Sequence, residues 1–147
     1  MGPESIELRP AQPSELAVVQ SLLRESALVW EDVAPHLATV LVGARAGAVV
    51  ACAGLEPYGS EALVRSVAVA APLRSAGVGA ALCDTLLGDA RRRGVRDAYL
   101  LTTGAARFFA RLGFTQIARD TAPPAIQRTR EFAALCPESA LLMHRAL

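Results

Sequence analysis

Arg74-Ser75-Ala76-Gly77-Val78-Gly79 decides how this chain is read. The stretch Ser66-Val67-Ala68-Val69-Ala70 before it is a small-residue and valine run that reads as a strand. The stretch Ala80-Ala81-Leu82-Cys83-Asp84-Thr85-Leu86-Leu87 after it reads as a helix. An arginine and two glycines in Arg-x-x-Gly-x-Gly spacing between a strand and a helix describe a pyrophosphate pocket. The glycines let the backbone approach closely, neighbouring N–H groups point outward together, and the helix N-terminus adds partial positive charge. The loop has no Gly-Lys-Ser/Thr and no lysine, which sets it apart from a Walker-type nucleotide site.

Working outward, strands and helices alternate. Ile6-Glu7-Leu8-Arg9 reads as a short strand ended by Pro10. A helix then starts at Pro13-Ser14, with Ser14 as N-cap, Glu15 in its first turn, and Leu16, Val19, Gln20 and Leu23 on one face. Leu28 to His36 reads as a loop or a short second helix. Thr39 to Ala44 and Ala48 to Glu56 read as a hairpin bracketed by Gly43 and Gly47. Pro57-Tyr58-Gly59-Ser60 is a second turn, and Ala62 to Ala70 is the third strand of the meander.

Beyond the glycine loop, Val78, Ala81, Leu82, Thr85, Leu86 and Ala90 repeat at helical spacing. Arg91-Arg92-Arg93-Gly94 closes that helix with cations at the negative dipole end and glycine at C′. Asp97 to Thr103 follows as a strand parallel to the one before the helix. A short helix then runs to Arg111, Phe114 to Ala118 is a strand, Pro123 to Phe132 is a loop with a short helix, and Ala140 to His144 is a last strand. This order predicts a mixed α/β (α+β) sheet, mostly antiparallel with a parallel pair, carrying helices on both faces.

The bulk properties bound the function. At 147 residues with 52% hydrophobic and 20% charged content, residues 1–147 are expected to form a single folded domain. A net charge of +1 argues against nucleic-acid or polybasic membrane partners. No apolar run nears the roughly 20 residues of a membrane span, and no secretory signal is evident. Cys52, Cys83 and Cys136 are far apart, which suggests neither a zinc site nor a disulfide framework and fits a reducing cytoplasm. Cys52 and Cys83 read as buried small hydrophobes. His36 and His144 lack the partner spacing of a metal site or a triad, so both read as structural or surface groups, and no metal is expected.

The order of elements, with the glycine loop after the third meander strand, closely resembles the GCN5-related N-acetyltransferases. A second marker of that family follows. Ala105-Ala106-Arg107-Phe108-Phe109-Ala110-Arg111-Leu112-Gly113-Phe114 is similar to its Ala-x-x-(Leu/Phe)-(Tyr/Phe)-x-x-x-Gly-Phe run. Gly54 to Gly59, Leu63 to Ser66, Leu100 to Thr103 and Thr129 to Pro137 are similar to the small acetyltransferases of arsenic-resistance operons. That branch is similar to N-acetylglutamate synthase domains.

The resemblance implies acetyl-CoA as donor. It places the pyrophosphate on N–H groups of Ala76, Gly77, Val78, Gly79 and Ala80, with Arg74 and Ser75 at the loop's start. It lays the pantetheine arm along Val67, Ala68 and Val69 where two parallel strands splay apart. An N–H of Val67 or Val69 then polarises the thioester carbonyl. Thr102 falls where many relatives carry an asparagine that bonds the cofactor arm. Phe109, in the same cofactor region, stands where the family's general-acid tyrosine sits, so this chain departs from the pattern there. Tyr58 is the candidate substitute. Dimers are common among relatives, so a homodimer is an allowed assembly.

Acetyl transfer needs a neutral amine, and an alkyl ammonium has a pKa near about 10, so something must take its proton. Glu56, at its strand end, is the best-placed carboxylate; its alternative is an ordinary strand-end residue. Glu31 and Glu61 are weaker candidates. Arg65 shares a strand face with Leu63, Val67 and Val69, and a guanidinium in an apolar strand needs an anion. That anion is either an acceptor carboxylate or Glu56 or Glu61 of the hairpin. Arg128 and Arg130 are further carboxylate anchors, and Trp30 is a core anchor or an acceptor-site wall. The leading expectation is therefore N-acetylation of a small, carboxylate-bearing amine. A catalytically degenerate acyl-CoA-binding module and a protein N-terminal acetyltransferase are the alternatives.

Overall fold

The computed structural model describes residues 5–74 and 76–147. In chain order the strands are β1 (Ile6–Pro10), β2 (Val40–Arg45), β3 (Ala48–Tyr58), β4 (Glu61–Val69), β5 (Asp97–Thr102), β6 (Thr115–Ile117) and β7 (Leu141–Ala146). The α-helices are α1 (Leu16–Glu25), α2 (Val78–Arg92), α3 (Ala106–Arg111) and α4 (Pro124–Gln127). The strands order as β1-β2-β3-β4-β5-β7-β6 in a mostly antiparallel sheet flanked by helices. One pair, β4 with β5, is parallel. This is the mixed α/β architecture the sequence predicts.

The residues gather into two compact units, Met1–Leu55 with Ser66–Leu86, and Glu56–Arg65 with Leu87–Leu147. The core of the first is Val19, Leu22, Leu23, Val33, Val40, Val42, Cys52 and Ala68, which takes the buried face of α1. Its entry turn differs from the expected one. Pro13–Glu15 forms a 3-10 turn, so the cap is Gln12 rather than Ser14, and the Gln12 N–H donates to Glu15 Oε1 at 2.9 Å. Arg9 grips the same carboxylate with two nitrogens, each at 2.8 Å. The Arg9 hydrogen bonds, helped by the Gln12 N–H, hold the Glu15 carboxyl down at about 2.

Gly43 does not bracket the hairpin turn. It lies inside β2 where the register with β3 shifts, and a Cβ there would meet Ile6 Cγ2 at 3.2 Å. The turn itself is Ala46-Gly47, both at positive φ (50° and 83°), the geometry that matches the twist of a two-residue hairpin. The second turn is likewise shorter than expected, because Pro57 and Tyr58 continue β3 and only Gly59-Ser60 turn.

The core of the second unit is Leu63, Tyr99, Ala122, Ile126 and Leu142. The parallel ladder covers three pairs, from Glu61↔Asp97 to Leu63↔Tyr99, while β5 pairs along its whole length with β7. α2 ends as its sequence requires. Gly94 takes φ 96°, its N–H bonds Arg91 O at 3.1 Å, and Val95 N–H bonds Ala90 O at 3.0 Å, the two bonds of a Schellman cap.

One residue of β4 breaks the expected alternation. Ser66 has φ 60°, the left-handed region, in the middle of an otherwise extended strand. Side chains alternate only while the backbone stays extended, so Arg65 and Val67 cannot be assigned to one face by counting. The Ser66 carbonyl accepts the Cys52 thiol at 3.1 Å.

Candidate functional site

The first unit carries the glycine loop. β4 ends at Val69, a 3-10 turn spans Ala71–Leu73, and α2 begins at Val78. Gly77 has φ 83°, and a Cβ built there would meet none of the described residues within 4 Å. The glycine therefore serves backbone geometry and leaves open space in front of the turn. The Gly77 carbonyl accepts the Ala81 N–H at 3.0 Å, which makes Gly77 the residue that starts the helix ladder. By helix geometry the N–H groups of Val78, Gly79 and Ala80 then have no intrahelical acceptor within α2. Their shared direction and the dipole of a 15-residue helix fit a pyrophosphate.

Of the expected cradle donors, the Ala76 N–H is already bonded within the turn, to Leu73 O at 3.2 Å. Ser75 lies outside the described residues. Arg74 is exposed; its Nε donates to Val69 O at 3.0 Å and its Nη2 to Ser26 Oγ at 3.3 Å, tying the loop's start to the strand end and to the C-cap of α1. Val67 and Val69 are half-buried around a buried Ala68.

Trp30 is half-buried against this unit's core, with the Arg24 guanidinium 4.1 Å from its ring centroid. Glu31 is exposed and accepts the Trp30 N–H at 3.0 Å.

The second unit holds a buried charge cluster. Arg65 has no exposed side-chain surface. Its Nη1 donates to Glu56 Oε2, and its Nε lies 3.2 Å from Glu131 Oε2. The Tyr58 hydroxyl donates to the other oxygen, Glu56 Oε1, at 2.6 Å. The Cys136 thiol donates to Glu131 Oε1 at 3.7 Å. Burial, followed by the Glu131 charge, pushes that thiol up to about 12.

Glu56 and Glu131 are buried, whereas Tyr58 remains 39% exposed at the hairpin end. Its phenol thus reaches from solvent to a carboxylate that solvent barely touches. Among the described residues every buried side-chain nitrogen and oxygen has a partner. Of the two partners expected for Arg65 in the hairpin, Glu56 is the one engaged. Glu131, which lies in the Thr129-to-Pro137 stretch but is not among the site residues expected from the sequence, is the second.

Thr102 is buried, and its hydroxyl accepts the Ala105 N–H at 3.0 Å at the start of α3. Phe109 is buried edge-on to Phe108 (5.0 Å) and Phe114 (5.9 Å). Arg128 and Arg130 are exposed, and Glu61 is half-buried at the parallel ladder's first pair. His144 bonds Asp97 through Nε2 at 2.8 Å and packs on Tyr99, so it is a structural group. His36 is half-buried in its 3-10 turn.

The sequence model of the Acetyltransferase (GNAT) domain matches residues 36–116, more than half of the chain. The chain belongs to the GNAT acetyltransferase family.

Solved structures agree on the GNAT fold. N-acetylglutamate synthase from Neisseria gonorrhoeae, complexed with coenzyme A and N-acetyl-glutamate, superposes with a TM-score of 0.85 at 19% identity. That match covers 97% of this chain and 35% of the synthase, so the chain spans about a third of that protein. Rv2747 from Mycobacterium tuberculosis, in complex with CoA, gives a TM-score of 0.82 at 24% identity and covers 96% of this chain and 99% of that one. The PaiA N-acetyltransferase from Thermoplasma acidophilum, also in complex with coenzyme A, gives 0.75 at 12% identity, with 97% and 99% covered. No helix among the described residues is long and apolar enough to cross a membrane.

Proposed function

We propose that residues 1–147 form one N-acetyltransferase domain that moves acetyl from acetyl-CoA to the amine of a small acceptor. The observation that carries this reading is the open Gly77 turn at the start of α2 in a chain of the GNAT family. N–H groups of Gly77, Val78, Gly79 and Ala80 would hold the pyrophosphate, with Arg74 beside them. The N–H of Val67 or Val69 would donate to the thioester oxygen, and Thr102 would bond the cofactor arm. Acetyl-CoA supplies an acyl group already activated as a thioester. A thiol has a pKa near about 8.5, so its anion leaves without a dedicated acid, which suits a chain with Phe109 in place of tyrosine.

Glu56 takes the role of base. It is the carboxylate at the end of β3, one oxygen held by Arg65 and the other by Tyr58, so its geometry is fixed before any acceptor arrives. With Arg65 engaged by two carboxylates, an acceptor carboxylate falls to exposed Arg128 and Arg130. The structural neighbour N-acetylglutamate synthase from Neisseria gonorrhoeae supports an amino-acid-like acceptor, in keeping with the branch that includes the arsenic-resistance acetyltransferases.

Thiol release from acetyl-CoA against a panel of small amines, L-glutamate among them, tests the activity. Glu56→Gln is expected to lower kcat by roughly a hundredfold or more, the scale of a lost general base. Tight CoA binding with no turnover on any amine would instead support a non-catalytic acyl-CoA-binding module, a reading favoured by the buried, hydroxyl-free Phe109.

A further inference from the structure

Glu131 has no part in the reading above, and its surroundings are unusual for a carboxylate. It opens a five-residue π-helical turn, Glu131–Leu135, that is preceded by exposed Arg130 and contains exposed Ala133 and Ala134. The Glu131 side chain itself is buried. A carboxylate leaves water only when its charge is met inside. Here Oε2 meets the Arg65 Nε and Oε1 takes the Cys136 thiol.

The turn that delivers Glu131 is pinned from several directions. Thr129 Oγ1 donates to Ile126 O at 2.8 Å and accepts the Phe132 N–H at 3.2 Å. The Cys136 N–H returns to Glu131 O at 2.8 Å. Arg119 donates to Ala140 O at 3.0 Å and to Phe132 O at 3.2 Å, with its guanidinium 4.6 Å from the Phe132 ring centroid. The carboxylate therefore arrives at Arg65 on a fixed support.

A guanidinium is planar, and its donors leave in fixed directions. Holding Nε from one side sets where Nη1 points on the other. Nη1 points at Glu56 Oε2. We propose that Glu131 is a positioning residue for the base: through Arg65 it fixes the direction in which the Glu56 carboxylate presents itself to the acceptor amine. The proposal rests on the reading of Glu56 as base.

Glu131→Gln keeps the side chain's shape and removes its charge. With L-glutamate, or whichever panel amine turns over, kcat is expected to fall roughly tenfold, because small misplacements of a reacting group cost up to about a hundredfold. The KM for acetyl-CoA should stay within about twofold of wild type. In a Glu56→Gln background, Glu131→Gln should add no further loss of kcat, since residues acting through one another are not additive. Glu131→Asp should recover part of the rate.

A wild-type kcat in Glu131→Gln, or a loss that adds in full on top of Glu56→Gln, would overturn the proposal. So would a lowered melting temperature with unchanged kcat. Should Glu131→Gln not fold, Glu131→Asp carries the same cycle: a lowered kcat that vanishes in the Glu56→Gln background supports the role, and a fully additive loss refutes it. If Glu56→Gln itself runs at the wild-type rate, the base reading falls and this proposal with it. A Glu56→Gln loss with no Glu131 effect removes this proposal alone.

Discussion

The glycine loop and the Arg65 cluster solve opposite problems. The loop offers main-chain donors in the open: none of the described residues lies within 4 Å of where a Gly77 side chain would stand, and Arg74 nearby is exposed. The cluster offers side chains already satisfied by one another, with Arg65 enclosed between two buried carboxylates. A main-chain cradle gives a recurring phosphate the same partners whatever the local side chains. A closed ion cluster fixes one geometry and makes each of its members expensive to lose.

The largest expected effect tests that closure. Arg65→Ala leaves Glu56 and Glu131 buried without their shared cation, and breaking a buried pair in this way costs about 3–5 kcal/mol. Chemical denaturation should show it as a lower midpoint. A loss under about 1 kcal/mol would mean that the carboxylates find water on their own and that the cluster is open.

Gly77→Ala probes the loop and should cost less. None of the described residues would clash with the new methyl, so the penalty is that of the left-handed backbone, about 1 kcal/mol. Titration calorimetry should show CoA affinity reduced several-fold. Wild-type CoA affinity in this variant would separate the glycine from the pyrophosphate.

A third pair, Arg9–Glu15, calibrates both regions as a partly exposed bridge, and Glu15→Gln should have the smallest effect. The Glu15 carboxyl is held at about 2 when folded, below its unfolded value, so its contribution is present above the ordinary carboxylate range. As pH falls through that range toward about 2 the contribution is lost. Urea midpoints of wild type and Glu15→Gln should differ at pH 7 and converge near pH 2; a gap that is independent of pH would contradict the ion pair.

What was legible in the sequence follows from how local each signal is. The succession of strands and helices along the chain, the helix end at Gly94 and the turn between β4 and α2 are written in neighbouring residues, and the structure has all three. The Gln12 cap was missed because Pro13 starts a 3-10 turn, which moves the cap upstream of the serine that composition favours. Glu131 lies in the Thr129-to-Pro137 stretch that carries the resemblance, yet the residue types around it do not mark an acid bound for the interior. Only the fold brings it to Arg65. The position of Arg65 was half legible: its need for an anion was plain, but the choice between a substrate and the protein's own carboxylates was a matter of tertiary structure.

Ser66 decides how one strand is shared between two cores. A regular strand punishes any one-residue gain or loss by turning every later side chain over. β4 already contains its own phase change, and the residues on either side of it answer to different cores, Leu63 to one and Ala68 to the other. The phase change at Ser66 thus lets one strand give its first half to one core and its second half to the other, a division that a regular alternation could not make.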